Sequence, residues 1–251
     1  MCTLALGLHL DRRWPVLVAA NRDEHLDRPS EGWALRVLPE GQPGSVSAAM
    51  PLDRQAGGTW IGVSARGVFA GVTNHYVRFD GYPDPSRRSR GELVPLALTA
   101  GSAAEAARAL RPLDAARWNP FHLLVADGQG AILWWYDGEE QGLDELGPGL
   151  HVVTESDREG RGARAEWLRG RWPADPSLPR LRDLLTHHGA PPPGGPATCI
   201  HGDPVYGTRS SAILRLAPDL GASELYVADA RPCTAPPEDR SELLVELARR
   251  P

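Results

Sequence analysis

Residues 1–24 read MCTLALGLHLDRRWPVLVAANRDE, and their pattern indicates two strands joined by a tight turn. Residues 3–10 are small and apolar, residues 11–13 form a charged turn, and residues 14–20 are a continuous apolar run. An apolar run of this length between turn signals is typical of a strand that is buried on both faces. The sequence therefore predicts a hairpin whose second strand ends at the polar stretch 21–28.

Outside this hairpin, short strands come in adjacent clusters and helices are grouped between them, after a Pro/Gly-rich segment that extends to about residue 44. Turn chemistry predicts hairpins around Ala65-Arg66 and around residues 127–130, and Ser102 with Glu105 resembles a capping box. The further predicted strands cover residues 59–64, 67–73, 121–126, 131–136, 151–154, 211–216 and 224–228. The predicted helices cover residues 91–98, 102–110, 163–171, 178–188 and 241–249.

Hairpin clusters with segregated helices indicate antiparallel sheets of the α+β class rather than a doubly wound parallel sheet. A four-layer α/β/β/α sandwich with two stacked antiparallel sheets fits this pattern. We interpret the Pro run at residues 191–196 as a loop, because the strands after it are too short to form a domain alone. Residues 1–251 are therefore expected to form one domain.

Composition disfavours several classes of function. The net charge of −5 argues against a nucleic-acid partner, because such proteins usually carry a basic face that neutralises phosphates. The chain contains no Lys, which excludes a catalytic lysine. No apolar run approaches the roughly 20 residues that cross a bilayer, and the start lacks the basic region of a signal peptide. We therefore expect a cytoplasmic protein with no stable membrane insertion.

The cysteines and histidines show no metal-binding pattern in the sequence. The three cysteines, Cys2, Cys199 and Cys233, are too few and too scattered for a disulfide framework. No two of them form a CxxC pair, and the eight histidines show no ligand spacing. We therefore expect neither a metal site nor a cofactor, and we assign no role to Cys199 or Cys233.

Cys2 differs from the other cysteines because removal of Met1 would make it the amino-terminal residue. Its α-amine, with an unperturbed pKa of about 7.7–8.0, would then be partly neutral near physiological pH. Such an amine can take the thiol proton without a separate histidine. The alternative interpretation of Cys2 is a small residue at the start of a strand.

The predicted hairpin returns a group of four polar residues to the side of Cys2: Asn21, Arg22, Asp23 and Glu24. A guanidinium held by a carboxylate close to a thiol would lower the thiol pKa and orient the amine. Asn74 follows the strand 67–73 and would donate its amide to an oxyanion. Considered separately, the polar group is typical of a solvated turn and Asn74 of a turn, so the prediction depends on their combination.

The chain resembles the NRDE family, the family of the transport and Golgi organisation protein 2. The resemblance rests on motifs that occur in the family's order: MC (1–2), AANRDE (19–24), GGTWIGVS (57–64), GVTN (71–74), SRGELV (89–94) and YGTRSS (206–211). It implies an αββα fold similar to that of the N-terminal-nucleophile (Ntn) hydrolases. It also implies a link to haem trafficking and lipid metabolism.

A more distant similarity is to the choloylglycine hydrolase and penicillin V acylase group. It implies functional roles for five residues: Cys2, Arg22, Asp23, Asn74 and Arg209. The chain departs from that group in two ways. Arg22 and Asp23 are adjacent, and Glu155 stands where those enzymes tend to have Asn. A carboxylate at that position would repel an oxyanion.

Further residues are predicted to contact a substrate. Trp60 follows Gly57-Gly58, which indicates a close backbone approach beside an aromatic wall, or a turn with a core Trp. Arg90 would cap a helix or reach an anionic substrate, and Tyr206 precedes a strand in the same motif as Arg209. The full predicted substrate-binding set is Asn21, Glu24, Trp60, Arg90, Glu155, Tyr206 and Arg209.

Two functions are compatible with these residues. The first is an Ntn hydrolase that cleaves an amide or ester bond with Cys2 as nucleophile. The second is a non-catalytic haem or lipid binding or trafficking protein on the same fold. In both cases the partner is a small molecule, namely an acyl amide, a lipid-like compound or haem.

Overall fold

The computed structural model describes residues 2–39, 44–77, 82–189 and 197–250. The strands are β1 (Thr3–Leu8), β2 (Val16–His25), β3 (Ser30–Leu38), β4 (Val46–Asp53), β5 (Ile61–Ser64), β6 (Phe69–Asn74), β7 (Phe121–Ala126), β8 (Ala131–Tyr136), β9 (Gln141–Leu146), β10 (Gly149–Thr154), β11 (Tyr206–Leu216), β12 (Glu224–Ala228) and β13 (Glu238–Asp239). The α-helices are α1 (Leu93–Leu98), α2 (Ala103–Leu110), α3 (Ala163–Arg169), α4 (Leu178–Leu185) and α5 (Glu242–Leu247).

The strands form two antiparallel sheets that pack face to face. The first sheet has the order β10-β1-β2-β11-β12-β13, and the second runs in sequence order from β3 to β9. Apolar side chains of both sheets form the central core, while α3 and α4 pack on the outer face of the first sheet and α1 and α2 on that of the second. The predicted four-layer α/β/β/α sandwich is confirmed.

Strands β1 and β2 lie inside the first sheet and are buried on both faces, as the apolar pattern predicts. In β1, Leu4, Leu6 and Leu8 face the core between the sheets, whereas Ala5 faces the layer of α3 and α4. The alternation of side chains along a strand explains this division. The pairing of β1 with β2 confirms the predicted hairpin.

Local turn chemistry sets the other predicted hairpins and one helix start. Asp127 accepts hydrogen bonds at Oδ1 from the backbone N–H groups of Gln129 and Gly130, which closes the turn between β7 and β8. Ser102 accepts at Oγ from the N–H of Glu105 and thereby caps α2. Both features are as predicted.

Several predicted boundaries are wrong. Residues 21–25 continue β2 instead of leaving the strand, because β11 pairs with β2 along its whole length. For the same reason β11 begins at Tyr206 and not at residue 211. Strands β3, β4 and β9 were not predicted, and α4 ends at Leu185. The Pro run at 191–196 lies outside the described residues.

None of the helices in the described part of the chain combines the length and apolar character that a bilayer-spanning helix requires.

Candidate active site

Cys2 lies at the start of the first strand, beside a cavity of about 520 Å³. The register of β1 and β2 pairs Thr3 with Asn21, and it therefore places Cys2 opposite Arg22. Cys2 is only 9% exposed, and its Sγ lies 4.0 Å from the backbone oxygen of Asp23. Burial raises the pKa of the Cys2 thiol. The thiol is therefore protonated at neutral pH, and it needs a base before it can act as a nucleophile.

Most of the predicted site residues line this one cavity. The four predicted catalytic residues all do so: Cys2, Arg22, Asp23 and Asn74. Four of the predicted substrate-binding residues join them: Glu24, Trp60, Arg90 and Arg209. The other three, Asn21, Glu155 and Tyr206, are not among the lining residues.

A chain of ion pairs holds Arg22 in the cavity wall. The Arg22 Nη2 atom lies 3.6 Å from Glu24 Oε2, and the same oxygen lies 3.9 Å from Arg28 Nε. Arg28 in turn donates from Nε and Nη2 to Asp53 Oδ2, at 2.9 and 2.6 Å. Arg22 is buried, and its partner Glu24 is itself held by Arg28. These contacts restrict the guanidinium of Arg22 to the end of the strand pair that contains Cys2.

The carboxylate of Asp23 is buried next to β11. Its Oδ1 accepts a hydrogen bond of 2.5 Å from the hydroxyl of Thr208, the residue paired with it across the sheet. Burial raises the pKa of Asp23 to about 7, although the Thr208 hydroxyl acts in the opposite direction. Asp23 can therefore gain or lose a proton near physiological pH, which an ordinary aspartate with a pKa of about 3.9 cannot.

Asn21 lies on the other face of β2 from Arg22, and this placement corrects its predicted role in substrate binding. Its side-chain amide donates to the backbone oxygens of Leu185, at 2.9 Å, and Thr198, at 2.7 Å. These bonds tie the end of α4 and the segment before β11 to the first sheet. Asn21 therefore anchors the backbone around the site and does not line the cavity.

Glu155 also lies outside the cavity lining, and its charge is neutralised by a residue that the sequence did not indicate. Arg164, on α3, donates from Nη1 to Glu155 Oε2 at 3.1 Å and to Thr3 Oγ1 at 3.2 Å. The expected repulsion between Glu155 and an oxyanion is therefore offset by an adjacent guanidinium. No local pattern marks Arg164, because the contact depends on how α3 docks on β1 and β10.

The strand β11 supplies Tyr206 and Arg209 in different ways. Tyr206 donates from its hydroxyl to the backbone oxygen of Asp23 at 3.1 Å and supports β2 rather than lining the cavity, which corrects its predicted contact with substrate. A bulge between Thr208 and Ser210 changes the register, and both Arg209 and Ser210 line the cavity. Bulges of this kind redirect side chains next to functional sites.

The motifs that contain Trp60 and Arg90 meet through their glycines. Thr59 donates its backbone N–H to Gly91 O at 3.0 Å, and a Cβ on Gly58 would lie 2.4 Å from the carbonyl carbon of Gly91. The predicted close backbone approach is thus present. Trp60 and Arg90, which lie close to these glycines in the chain, both line the cavity.

The two stacked sheets between helical layers, with a cysteine where an inner strand begins, define an Ntn-hydrolase-like fold. Penicillin V acylase from Agrobacterium tumefaciens shares it, with a TM-score of 0.56, 16% identity, and coverage of 92% of this chain and 83% of that chain. An N-acylethanolamine-hydrolyzing acid amidase ortholog from Caenorhabditis elegans has a TM-score of 0.55 and 11% identity over 85% of this chain and 92% of its own. A variant of conjugated bile acid hydrolase from Clostridium perfringens has a TM-score of 0.57 and 12% identity over 91% and 89%.

Within this class, the chain belongs to the Transport and Golgi organisation 2 family, whose family model matches residues 1–172. The Transport and Golgi organization 2 homolog of Mus musculus is 29% identical over 148 residues, which is 55% of this chain and 50% of the homolog. The Homo sapiens homolog is 30% identical over 128 residues, which is 48% of this chain and 43% of the homolog. The matched region thus spans about half the length of these relatives.

Proposed function

We propose that this protein is an Ntn hydrolase that cleaves an amide or ester bond of a small molecule with Cys2 as the nucleophile, after Met1 has been removed. The observation that carries the proposal is that one cavity is lined by Cys2, Arg22, Asp23 and Asn74. The names of the structurally similar proteins, an acylase, a bile acid hydrolase and an acid amidase, are consistent with this class of reaction.

The proposed reaction begins with proton transfer from the Cys2 thiol to its own neutral α-amine. The thiolate sulfur then attacks the carbonyl carbon of the substrate, and the carbonyl oxygen becomes an oxyanion to which the Asn74 amide donates. The α-ammonium returns the proton to the leaving amine or alcohol as the carbon–heteroatom bond breaks. Water, deprotonated by the α-amine, then hydrolyses the thioester and releases the acid.

Arg22 and Asp23 have separate roles in this scheme. The guanidinium of Arg22, fixed beside Cys2 by Glu24, favours the thiolate over the thiol and so counteracts the effect of burial. The carboxylate of Asp23 accepts a hydrogen bond from the α-amine and holds it towards the thiol. We assign Asp23 to positioning because the amine itself carries the proton.

We infer an anionic group on the substrate from the partners of two cavity arginines. Arg90 donates to Tyr82 Oη and Pro120 O, and Arg209 donates to Arg28 O, so within the described part of the chain both guanidinium groups donate to uncharged oxygens. Arg88, which also lines the cavity, forms an ion pair with Glu92. A carboxylate or similar group would therefore be bound by Arg90 and Arg209. The cavity volume of about 520 Å³ lies within the range of small-molecule sites.

Two measurements test the nucleophile. The intact mass of protein made in cells should lack one methionine, about 131 Da. Turnover of a panel of chromogenic acyl amides and esters should fall about 1,000-fold or more in Cys2→Ala, and about 100-fold or more in Asn74→Ala. Equal turnover in wild type and Cys2→Ala would remove the proposal. If wild type hydrolyses nothing and haem titration gives a saturable visible spectrum, non-catalytic binding replaces hydrolysis.

The anion site has its own matched control. Arg209→Met should raise KM for an anionic substrate about 10-fold or more with little change in kcat, because a charge-assisted hydrogen bond is lost. Arg88→Met removes an arginine of the same cavity whose charge is already paired, and it should leave KM unchanged. Equal KM changes in the two variants would show that the anion is bound elsewhere.

A further inference from the structure

Four side chains of metal-ligand type meet outside the cavity lining: His188, Cys199, His201 and Cys233. One ligand atom from each lies within 4.8 Å of all the others. They come from three segments: the residues after α4, those before β11, and the connection between β12 and β13. The sequence did not predict this cluster because the fold, and not a CxxC spacing, brings the four residues together.

The separations match those in a tetrahedral site. The Sγ atoms of Cys199 and Cys233 are 3.6 Å apart, and His201 Nε2 lies 3.3 Å from the first and 3.0 Å from the second. The ring centroids of His188 and His201 are 4.5 Å apart. Zinc bonds of about 2.3 Å to sulfur and about 2.0 Å to nitrogen give tetrahedron edges of about 3.3–3.8 Å. An ion between the four atoms therefore needs only small adjustments of the side chains.

Only one of the two adjacent histidines after α4 belongs to the cluster. The ring of His187 stacks on Trp167, with centroids 4.1 Å apart, whereas His188 turns to the two cysteines. Disulfide formation between Cys199 and Cys233 would need their sulfur atoms to approach to about 2.05 Å. A disulfide would also leave the two converging histidines without a role.

We propose that His188, Cys199, His201 and Cys233 bind a structural Zn²⁺ ion. Two thiolates and two imidazoles in a tetrahedron are a donor set that zinc prefers, and four protein ligands leave no open position for catalysis. On binding, the two thiol protons pass to solvent, so the two thiolates balance the charge of the ion. The ion would clamp together three segments of the chain.

The proposed ion would act on the candidate active site through the backbone on either side of Cys199. On one side, Thr198 O accepts from Asn21 at 2.7 Å. On the other side, Ile200 N donates at 2.7 Å to Thr208 Oγ1, the hydroxyl that donates to Asp23. Two side chains of the polar group on β2 are thus supported by residues next to a zinc ligand. Loss of the ion should loosen the support of Asp23.

The test uses the 251-residue chain purified under reducing conditions without chelators. Elemental analysis should give one zinc per chain, and titration of the zinc-free protein with Co²⁺ should give thiolate-to-cobalt charge transfer and the strong visible bands of a tetrahedral site. Cys199→Ser and His201→Ala should reduce the zinc content at least 10-fold. Removal of zinc by a chelator should lower Tm by about 5 °C or more, and added Zn²⁺ should restore it.

Cys2→Ala is the matched cysteine control, and it should keep both the zinc and the cobalt spectrum whether or not Cys2 is catalytic. The proposal is overturned if wild type lacks zinc and gives no cobalt spectrum. It is equally overturned if the purified protein carries a Cys199–Cys233 disulfide, seen as a mass two hydrogens lower. The zinc-free wild type tests binding even if the variants fail to fold.

Discussion

The imidazole of His122, on β7 of the second sheet, is buried, and it contacts β6 of the same sheet and β10 of the first sheet. Its Nδ1 lies 3.0 Å from Thr154 O and 3.4 Å from Thr73 Oγ1. Burial lowers the pKa of His122 to about 3, whereas an unfolded histidine has a pKa of about 6.5. The folded state therefore binds fewer protons than the unfolded state between these values. The neutral buried imidazole therefore makes its full contribution to the free energy of unfolding above a pH of about 6.5, and this contribution is lost as the pH falls towards 3.

We expect His122→Asn to reduce the dependence of stability on acid. Between pH 7 and pH 4, wild type should lose up to about 3 kcal/mol more of its unfolding free energy than the variant does. Urea unfolding at both pH values measures this difference. Because Asp23 titrates in both proteins, its contribution cancels in the comparison. Parallel losses in the two proteins would contradict the assignment of a neutral buried imidazole.

Asp23 gives a pH prediction for activity. Its pKa of about 7 means that the carboxylate form, which we propose holds the α-amine, is lost as the pH falls through neutrality. The value of kcat/KM should therefore rise with pH through about 7, as Asp23 ionises and the α-amine loses its proton. Asp23→Asn should lower the maximum and leave only the part of the acid limb that the α-amine sets, at a pKa of about 7.7–8.0. Thr208→Val removes the hydroxyl that donates to Asp23, so it should shift the limb to higher pH. A maximum and an acid limb that are both unchanged in Asp23→Asn would exclude this role.

The sequence located some residues of the site and missed others for a clear reason. Cys2 and Arg22 face each other because the hairpin register is a local property, and the apolar pattern of residues 3–20 predicts it. The contact between Glu155 and Arg164 depends on the docking of α3, which no local pattern reports. Asn21 was predicted to contact the substrate because the strand was expected to end before it, whereas its amide donates to Leu185 O and Thr198 O.

At the scale of elements, β2 shows why polar residues were mistaken for a turn. Its first five residues are apolar, and residues 21–25 are polar or charged, which usually signals the end of a strand. The strand continues because β11 supplies backbone partners as far as His25. Polar side chains within a central strand are tolerated here because Arg22 and Glu24 form an ion pair and Asp23 is hydrogen-bonded by Thr208.

The backbone of Gly58, two residues before Trp60, packs against Gly91, the residue after Arg90. We expect that adding one methyl group at Gly58 destabilises the protein. Gly58→Ala would place Cβ 2.4 Å from the backbone of Gly91, which cannot move like a flexible side chain. We expect a loss of about 1–3 kcal/mol or more in urea unfolding. Gly130→Ala is the control, since nothing lies within 4 Å of its added Cβ. An unchanged stability in Gly58→Ala would show that the two loops separate readily.

At the scale of the whole molecule, the pair of Arg164 and Glu155 joins the helical layer to the first sheet. The two side chains are only 15% and 9% exposed, so Arg164→Met leaves a nearly buried carboxylate without its partner. We expect a loss of about 3–5 kcal/mol in the unfolding free energy. Adding Glu155→Gln should recover much of this loss, because the unpaired charge is removed. A double variant as unstable as Arg164→Met would mean that packing, not charge, links the layers.

The class of fold was predictable from the sequence, but which strands pair in each sheet, and in what order, was not. Hairpin clusters and grouped helices indicate stacked antiparallel sheets, and the family motifs give the same architecture. The pairing of Thr3 with Thr154 and of Asn21 with Ser211 joins residues far apart in the chain. Local periodicity contains no information on such partners, so the order of strands in the first sheet had to come from the structure.

The alternation of side chains along β2 has a consequence for how the molecule tolerates insertions. Arg22 and Glu24 point one way, whereas Asn21 and Asp23 point the other and contact the backbone near Thr198 and the hydroxyl of Thr208. Adding a single amino acid after Ala20 would exchange these two sets, because each step along a strand reverses the direction. Two added amino acids would restore the directions of the side chains, but they would shift residues 21–24 by two positions relative to their partners on β11. We therefore expect an insertion at this point to disrupt the candidate site even if the inserted side chain itself is compatible with a strand.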